Sequence, residues 1–475
     1  MNNVLDLVDQ TVFLGERATG AKSLGQCVWV YNRAIDIDGL RRFHHHLQRG
    51  RLSRRIERSP LPFGRHRWVS AADSSDCEIV AMPRPREEFE AWLNEQANTP
   101  LDSEHGPGWH LAVLPFTDGG AGVSLVISHC LTDGVGACEA LADAACGRHD
   151  PIRWPAAVSR RWWRAVREDA RQTARDTRST GRAVVAAARL ARRNRVRARS
   201  ITPTTPPAVR AASDERITIP TTTIFFDAEE WDARAHLLGG SSNTLLVGMA
   251  VRLAQQVGRV AADGSVALTL PVNERAADDT RANAITNVDI TADPAPVTTD
   301  LRDIRATIKQ ALIRHQEVPN ERWALLPIVP LLPKRLVRRM VSMSVSSTAS
   351  VVASNLGVVN LGATRPDGTD ADYLAMKSVC PSISKAIMHR LGGLLVLLSG
   401  RSHGRVFVSV LAYQPDRPNS NDDLRQQISS ALSDFSLTAA TGRPSPVSVA
   451  GRASRPPRTG RMRLQSKRIR PNLMA

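Results

Sequence analysis

An arginine-rich segment at residues 151–200 divides the chain into two stretches of ordinary globular composition. The segment holds 15 Arg against three acids, a net charge of +12. With 475 residues and 42% apolar content, the chain is long enough for two packed cores, because single cores stop growing near roughly 250–300 residues. We therefore predict globular halves at 1–150 and 213–440, a connector at 151–212 and a basic, disordered tail at 441–475.

The basic residues of the connector have helical periodicity. Successive Arg residues step by three or four positions, which places them on one side of a helix. This stripe consists of Arg160, Arg164, Arg167, Arg171, Arg175, Arg178 and Arg182. We interpret it as a contact surface for an anionic membrane or an acidic acyl carrier protein, with a solvated linker helix as the alternative. Nucleic-acid binding is disfavoured, because only Trp162 and Trp163 interleave with the charges and the segment matches no recognition fold.

Both halves alternate strand-forming and helix-forming segments, which predicts a mixed α/β fold. The predicted strands lie at 23–31, 109–116, 123–127, 221–226, 266–271, 284–290, 350–353, 394–398 and 405–413. The predicted helices lie at 36–47, 87–97, from 133 onward, at 228–238, after the break at 239–243 through Val257, and at 300–316 and 421–434. For the helix after the Gly-Gly-Ser-Ser-Asn break, Ser242 or Asn243 is the expected capping residue.

The segment Ser128-His-Cys-Leu-Thr-Asp-Gly134 carries the strongest functional signal. It lies where a predicted strand ends and a helix begins, and a His at such a place can project its imidazole into a cleft. Because imidazole titrates near neutral pH, His129 suits a general base that takes a proton from a hydroxyl or amine. We expect Asp133 to fix the loop by capping backbone amides or by pairing with an Arg, and Gly134 to supply dihedral freedom.

This order of strand, His-x-x-x-Asp-Gly, helix and second α/β half resembles the superfamily of CoA-dependent acyltransferases and nonribosomal-peptide condensation domains. Within it, the sequence looks most similar to bacterial wax ester synthase/diacylglycerol acyltransferases and polyketide-associated acyltransferases. Three more segments carry the resemblance, which spans about residues 8–438: Asn243-Thr-Leu-Leu, Leu270-Pro-Val-Asn-Glu-Arg275 and Ser354-Asn-Leu-Gly357. Ser128 replaces the first of the doubled His, and Thr244 replaces an expected Asp, which leaves the substrate open.

The resemblance implies two chloramphenicol-acetyltransferase-like halves that form a pseudo-dimer around a central tunnel. A thioester would reach His129 from one side and the acceptor from the other, and the acyl group would transfer directly, without a covalent enzyme intermediate. Ser354 or Asn355 would donate a hydrogen bond to the oxyanion. Arg275 is the candidate partner of Asp133. The start of the helix at Asn243 is a candidate substrate contact.

We therefore expect an O-acyltransferase that moves an acyl group from acyl-CoA to a long-chain alcohol, diacylglycerol or glycolipid. It would need no cofactor other than the CoA or phosphopantetheine thioester itself. No metal site is expected, because the six Cys form no Cys-x-x-Cys pair. Two alternatives stay open: a carrier-protein-dependent condensation enzyme that forms an amide or ester, and a non-catalytic relative that binds acyl lipids.

The N-terminal sequence bears on localisation. Its first nine residues carry two acids where a signal peptide needs positive charge, and no apolar run in the chain approaches 18 residues. We expect a cytoplasmic protein, in contact with the inner membrane face if the arginine stripe binds lipid.

Overall fold

The computed structural model describes residues 3–71, 76–148, 154–199, 215–276, 279–317, 323–345, 351–381, 383–438 and 440–441. Of the predicted tail at 441–475, only Thr441 falls within the described residues, where it pairs with a neighbouring strand. Residues 151–153 and 200–212 of the predicted connector also lie outside them.

Helices and strands alternate along both halves, as the sequence predicts. The helices are α1 (Leu7–Thr19), α2 (Ile37–Leu47), α3 (Phe89–Ala97), α4 (Gly134–Ala145), α5 (Trp162–Arg199), α6 (Ala228–Leu237), α7 (Ser242–Gln256), α8 (Arg302–Glu317), α9 (Lys334–Val345), α10 (Lys385–Arg390) and α11 (Asn421–Asp434). Short 3₁₀ segments lie at Arg86–Glu88, Trp323–Leu331 and Leu361–Thr364. The mixed α/β class is confirmed.

The strands of the described residues form two main sheets and two short ladders. They are β1 (Leu24–Tyr31), β2 (Arg54–Glu57), β3 (Arg67–Ser70), β4 (Glu78–Ile79), β5 (Trp109–Pro115), β6 (Ala121–Ser128), β7 (Arg216–Ile217), β8 (Thr221–Asp227), β9 (Val266–Asn273), β10 (Ile285–Ala292), β11 (Val351–Val358), β12 (Tyr373–Val379), β13 (Ile383–Ser384), β14 (Leu394–Ser402), β15 (Arg405–Tyr413) and β16 (Ala440–Thr441). The first sheet has the order β12-β1-β6-β5-β4 and the second β10-β9-β11-β14-β15-β8-β16.

One strand leaves the half in which its sequence lies. β12 belongs to the predicted second half, yet it pairs antiparallel with β1 along its whole length, with Trp29 opposite Leu374. The sequence analysis identified no strand there, because Lys377 interrupts a segment that is otherwise apolar or small. The first sheet therefore contains a strand from each half of the sequence. The division of the chain at 151–212 stays a prediction.

Each main sheet supports a large apolar core. The second-half core packs α7, of which Leu245, Met249 and Ala250 are fully buried, against the second sheet. The first-half core joins β1, β5, β6, α2 and α4, and it also takes in β12 side chains such as Met376. This core also includes Ala282 and Phe407, so side chains from both halves of the sequence pack in it.

The start of α7 differs from the predicted one. Its N-cap is Ser241, and the prediction of Ser242 or Asn243 is wrong. The Ser241 hydroxyl accepts the backbone N–H of Thr244, and the Thr244 hydroxyl accepts that of Ser241, so both groups satisfy free helix-end amides. Thr244, which departs from the family pattern, is thus one half of a capping box.

The connector forms the predicted helix, α5, but its first arginine does not belong to the exposed stripe. Asp169 on α5 is 1% exposed and accepts hydrogen bonds from Ser59 of one neighbouring segment and Arg67 of β3, which docks the helix. Arg160 lies before the helix and is held between Glu57 and Asp169. The remaining arginines of the stripe are exposed: Arg164, Arg167, Arg171, Arg175, Arg178 and Arg182.

No helix of the described residues combines the length and apolar composition that crossing a bilayer requires.

Candidate active site

A cavity of about 190 Å³ lies between the two main sheets, next to His129. One wall comes from the first sheet and the start of α4, with residues such as Cys27, Ile127 and Met376. The other wall comes from β9, β10, β11 and β14 of the second sheet, with residues such as Val396 and Leu398. Most of these side chains are apolar, so the cavity suits an acyl chain or another apolar group.

His129 lies on the loop between β6 and α4, and its main chain is held from both halves. Its backbone N–H donates to the carbonyl of Ser23 at 3.0 Å, and its carbonyl accepts from the Asn283 amide at 3.1 Å. The ring Nδ1 is buried and has no hydrogen-bond partner among the described residues. The residue is half-buried, and it lines the cavity.

Asp133 performs both of the functions that the sequence left open. Its Oδ1 accepts the backbone N–H of Gly136 at 2.7 Å, which caps α4. Its Oδ2 accepts from Arg275 at 2.8 Å and from the backbone N–H of Ala284 at 2.7 Å. The Asp133 and Arg275 side chains are only 2% and 3% exposed. The predicted Asp133–Arg275 contact is present, and Arg275 lies behind the loop rather than on the cavity surface.

Gly134 lies close to the opposite wall of the cavity. Its backbone does not adopt the left-handed conformation that was the predicted reason for glycine here. A Cβ at this position would lie 2.7 Å from a methyl group of Leu356 on β11, a distance that real Cβ atoms do not show. A side chain at position 134 would therefore require the Leu356 side chain to move.

A second carboxylate, Asp9 of α1, holds the same region from behind. Asp9 is fully buried and accepts the backbone N–H groups of Ala282 and Asn283, together with the side-chain amide of Asn283. That amide also donates to the carbonyl of His129, and Asp133 N–H donates to Ala282. The segment 282–284 is thus clamped between Asp9 and Asp133. The sequence alone did not identify Asp9 and Asn283 as functional residues, since they lie more than 270 residues apart.

Glu16, also on α1, lies near the imidazole. Its carboxylate accepts the backbone N–H of Ser23 at 3.1 Å, and the Ser23 carbonyl in turn binds His129. Burial raises the pKa of the Glu16 carboxyl, while its hydrogen bonds and the nearby His129 lower it. Neighbouring Cys130 is fully buried, and this burial raises the pKa of its thiol well above the ordinary value, which disfavours the reactive thiolate.

Ser128, which stands where the resembled family has its first His, is part of the loop's internal framework. Its hydroxyl bonds to that of Ser103 at 3.0 Å and accepts the backbone N–H of Cys130 at 3.2 Å. The side chain is buried and does not line the cavity.

Ser354 and Asn355 line the opposite wall, so the fold brings them to the same cavity as His129. The register of β11 against β14 shifts between Asn355 and Val358, where Gly357 has a φ of 70°. The Asn355 side-chain oxygen accepts the backbone N–H of Gly357, which shapes this turn. Asn243, in contrast, lies in the first turn of α7 and is not among the residues that line the cavity.

Comparison with known proteins agrees with this geometry. Residues 40–225, which include the His129 loop, match the model of the wax ester synthase/diacylglycerol acyltransferase catalytic domain. The solved polyketide synthase associated protein 5 from Mycobacterium tuberculosis is 15% identical, with a TM-score of 0.53 over 90% of this chain and 97% of that one. Among proteins of curated function, a search finds no significant match.

Two further solved structures share the architecture. The wax ester synthase/diacylglycerol acyltransferase from Marinobacter aquaeolei VT8 is 14% identical, with a TM-score of 0.52 over 91% of this chain and 98% of that one. The first condensation domain of the CDA synthetase is 12% identical, with a TM-score of 0.54 over 94% and 98%. The chain has the fold of the CoA-dependent acyltransferase and condensation-domain superfamily. The match to a catalytic-domain model supports acyltransferase activity.

Proposed function

We propose that the chain transfers an acyl group from a thioester, acyl-CoA in the first instance, to a hydroxyl acceptor such as a long-chain alcohol, diacylglycerol or glycolipid. The observation that carries the proposal is the position of His129. Its ring borders an apolar cavity between the sheets, and its main chain is fixed by Ser23 on one side and Asn283 on the other. A base held in this way is placed before the substrates arrive.

In the proposed reaction, His129 takes the proton of the acceptor hydroxyl as its oxygen attacks the thioester carbonyl. The carbonyl oxygen becomes an oxyanion, and its collapse breaks the carbon–sulfur bond. The departing thiolate then takes the proton back from the imidazolium, so that an ester and a free thiol leave the site. No covalent acyl-enzyme forms, because the thioester is already activated for direct attack.

The oxyanion requires a hydrogen-bond donor about 3 Å away. Ser354 is our first candidate, because its hydroxyl lies on the wall opposite His129 and makes no hydrogen bond with any described residue. Asn355 is the second candidate, although its side-chain oxygen is already used to shape the turn at Gly357.

The decisive experiment follows thiol release from a panel of acyl-CoAs in the presence of extracted lipid or alcohol acceptors. We expect His129→Ala to lower the rate by about 10²–10⁴-fold, the usual contribution of a general base. His105→Ala is the matched control, because it removes an imidazole that is 78% exposed and lies outside the cavity. Equal turnover by wild type and His129→Ala, together with tight acyl-CoA binding, would instead indicate a non-catalytic acyl-lipid-binding protein.

A second candidate function is a condensation reaction whose donor or acceptor is carried on the phosphopantetheine arm of a carrier protein. The exposed arginines of α5 favour it, since Arg167 and Arg171 have no ion-pair partner among the described residues and carrier proteins are usually acidic. Activity that depends on a carrier protein and is lost when Arg164, Arg167 and Arg171 are changed to Glu would support this candidate.

A further inference from the structure

The second half of α5 and the helix α9 contain no acidic residues. No Asp or Glu occurs between Thr177 and Arg192, or between Trp323 and Val345. The exposed basic residues of these two stretches are Arg178, Arg182, Arg189, Arg192, Lys334, Arg335, Arg338 and Arg339. None of them forms an ion pair with a described residue, in contrast to Arg160 and Arg164.

Exposed apolar side chains are interleaved with these charges. On α5, Val184 and Val185 are 53% and 49% exposed, and on α9 Leu336 is 47% exposed. Between the two helices lies the 3₁₀ segment Trp323–Leu331, which contacts α5 and α1 and ends in the exposed Leu331. We call the exposed faces of 177–192 and 331–339 the α5–α9 surface.

The α5–α9 surface is fixed to the rest of the molecule. Ala18 of α1, Val329 and Val337 form a small buried cluster, and Arg338 donates a hydrogen bond to the carbonyl of Ala18. On α5, Ala183 is buried on the face that turns away from the arginines. Both helices are therefore anchored to the rest of the protein. No described acidic residue pairs with the exposed basic side chains of the α5–α9 surface.

We propose that the α5–α9 surface binds the headgroup region of an anionic membrane. Several unpaired cations attract a negatively charged bilayer, and neighbouring apolar side chains enter the boundary between headgroups and acyl chains. An acidic protein partner would be matched by the charges but would leave Val184, Val185 and Leu336 without a function. The first half of α5 fits a bilayer less well, because Glu168, Asp169 and Asp176 lie there.

The position of the surface links it to the cavity. Helix α1 contacts α9 and the 3₁₀ segment, and the same helix carries Asp9 and Glu16, which hold the main chain around His129. A bilayer on this surface would thus lie one helix away from the His129 loop, where a lipid acceptor is needed. This link rests on the proposed function, whereas the binding itself does not.

The test is co-sedimentation of the full chain with vesicles of phosphatidylglycerol and phosphatidylcholine, compared with phosphatidylcholine alone. The variant carries Arg178→Glu, Arg182→Glu and Arg189→Glu. The matched control carries Arg305→Glu, Lys309→Glu and Arg314→Glu on α8, which are equally exposed and change the net charge by the same amount. Both proteins keep the basic segment 442–475. We expect the first variant to lose at least about tenfold in partitioning and the control to stay within twofold.

A second variant separates a bilayer from a purely electrostatic partner. Leu331→Ser with Leu336→Ser removes exposed apolar groups without changing charge, and we expect it to weaken vesicle binding most at high salt, where charge attraction is screened. All of the substituted side chains are exposed, and an unchanged melting temperature verifies folding. His129→Ala should bind vesicles like wild type even if it is inactive, so failure of the proposed reaction would be recognised separately.

Three results would overturn the proposal. One is wild-type binding no stronger with phosphatidylglycerol than without it. Another is equal loss in the α5 and α8 variants, which would reflect net charge alone. The third is intact vesicle binding by the α5 variant together with loss of binding to a purified acyl carrier protein, which would identify a protein as the occupant.

Discussion

The two walls of the cavity are held in different ways. On the first wall, the loop 128–134 is fixed by buried polar contacts, in which Asp133 binds Arg275 and Asn283 binds the His129 carbonyl. On the second wall, Ser354 and Asn355 are only half-buried and lie where β11 loses its register with β14. The difference indicates that the base is positioned in advance, whereas the proposed oxyanion side retains freedom to adjust to the substrate.

The largest effect is expected from Arg275→Ala. Removal of one member of a buried ion pair leaves Asp133 uncompensated, and we expect a loss of about 3–5 kcal/mol in the free energy of unfolding. Chemical denaturation measures this. Arg281→Ala removes an ion pair with Asp279 whose arginine is 32% exposed, and should cost less than about 1 kcal/mol. Similar losses in both variants would mean that the first wall does not depend on its buried pair.

The next effect is a loss of stability in mild acid, transmitted through α1. The His66 ring packs against Phe13 of α1, and its Nδ1 accepts the backbone N–H of Ser59. Burial lowers the pKa of this imidazole to about 4. Below pH 6.5 the His66 imidazole becomes protonated in the unfolded chain, whereas in the folded protein it stays neutral until about pH 4. The free energy of unfolding therefore falls as the pH falls. The loss should reach about 2 kcal/mol at pH 5.

The control for the pH effect is His66→Gln, which keeps a polar side chain that does not titrate. Between pH 5 and pH 7.5, the free energy of unfolding should change more with pH in wild type than in this variant. If the stability of both proteins depends on pH in the same way, protonation of His66 is not the cause of the loss in mild acid.

A smaller effect is expected from Asn283→Ala. The variant loses the hydrogen bonds of the side-chain amide to Asp9 and to the His129 carbonyl, while the backbone N–H of residue 283 still binds Asp9. We expect about 1 kcal/mol of lost stability and, if His129 is the base, a drop in kcat of about tenfold. Asn287→Ala, on the exposed side of β10, is the comparison; unchanged kcat in Asn283→Ala would argue against positioning through the main chain.

The smallest effect on stability is expected on the second wall. Ser354→Ala removes a half-exposed hydroxyl without a hydrogen-bond partner among the described residues, so unfolding should change by less than about 0.5 kcal/mol. If the hydroxyl stabilises the oxyanion, kcat falls by about 10²-fold while the KM for acyl-CoA stays nearly constant. Ser354→Thr keeps a hydroxyl and should restore part of the rate. A normal kcat in Ser354→Ala would instead make Asn355 the candidate donor to the oxyanion.

Local signals were sufficient for most elements and for the His129 loop. Strand periodicity, the acid at position 36 and the acid at position 133 each act over a few residues, and α2 and α4 begin where these signals predict. The predicted contact between Asp133 and Arg275 came from the family resemblance, since nothing local to either residue indicates the other.

Long-range contacts account for what sequence reasoning missed. Asp9 occurs in a helix with a weak pattern, and its importance comes from binding Asn283, which is 274 positions away. An acid one helical turn before Val12 and Phe13 was a signal that a partner was needed, although it could not identify which one. The same holds for β12, whose neighbour β1 lies in the other half of the sequence.

The pairing of β12 with β1 has a consequence for synthesis on the ribosome. β1 is made among the first 31 residues, whereas its outer neighbour starts at Tyr373. At typical elongation rates of roughly 5–20 residues per second, β1 waits for about 20–70 s with one edge unpaired. An open apolar edge of this kind invites association with other chains, so the nascent protein should depend on chaperones during that interval.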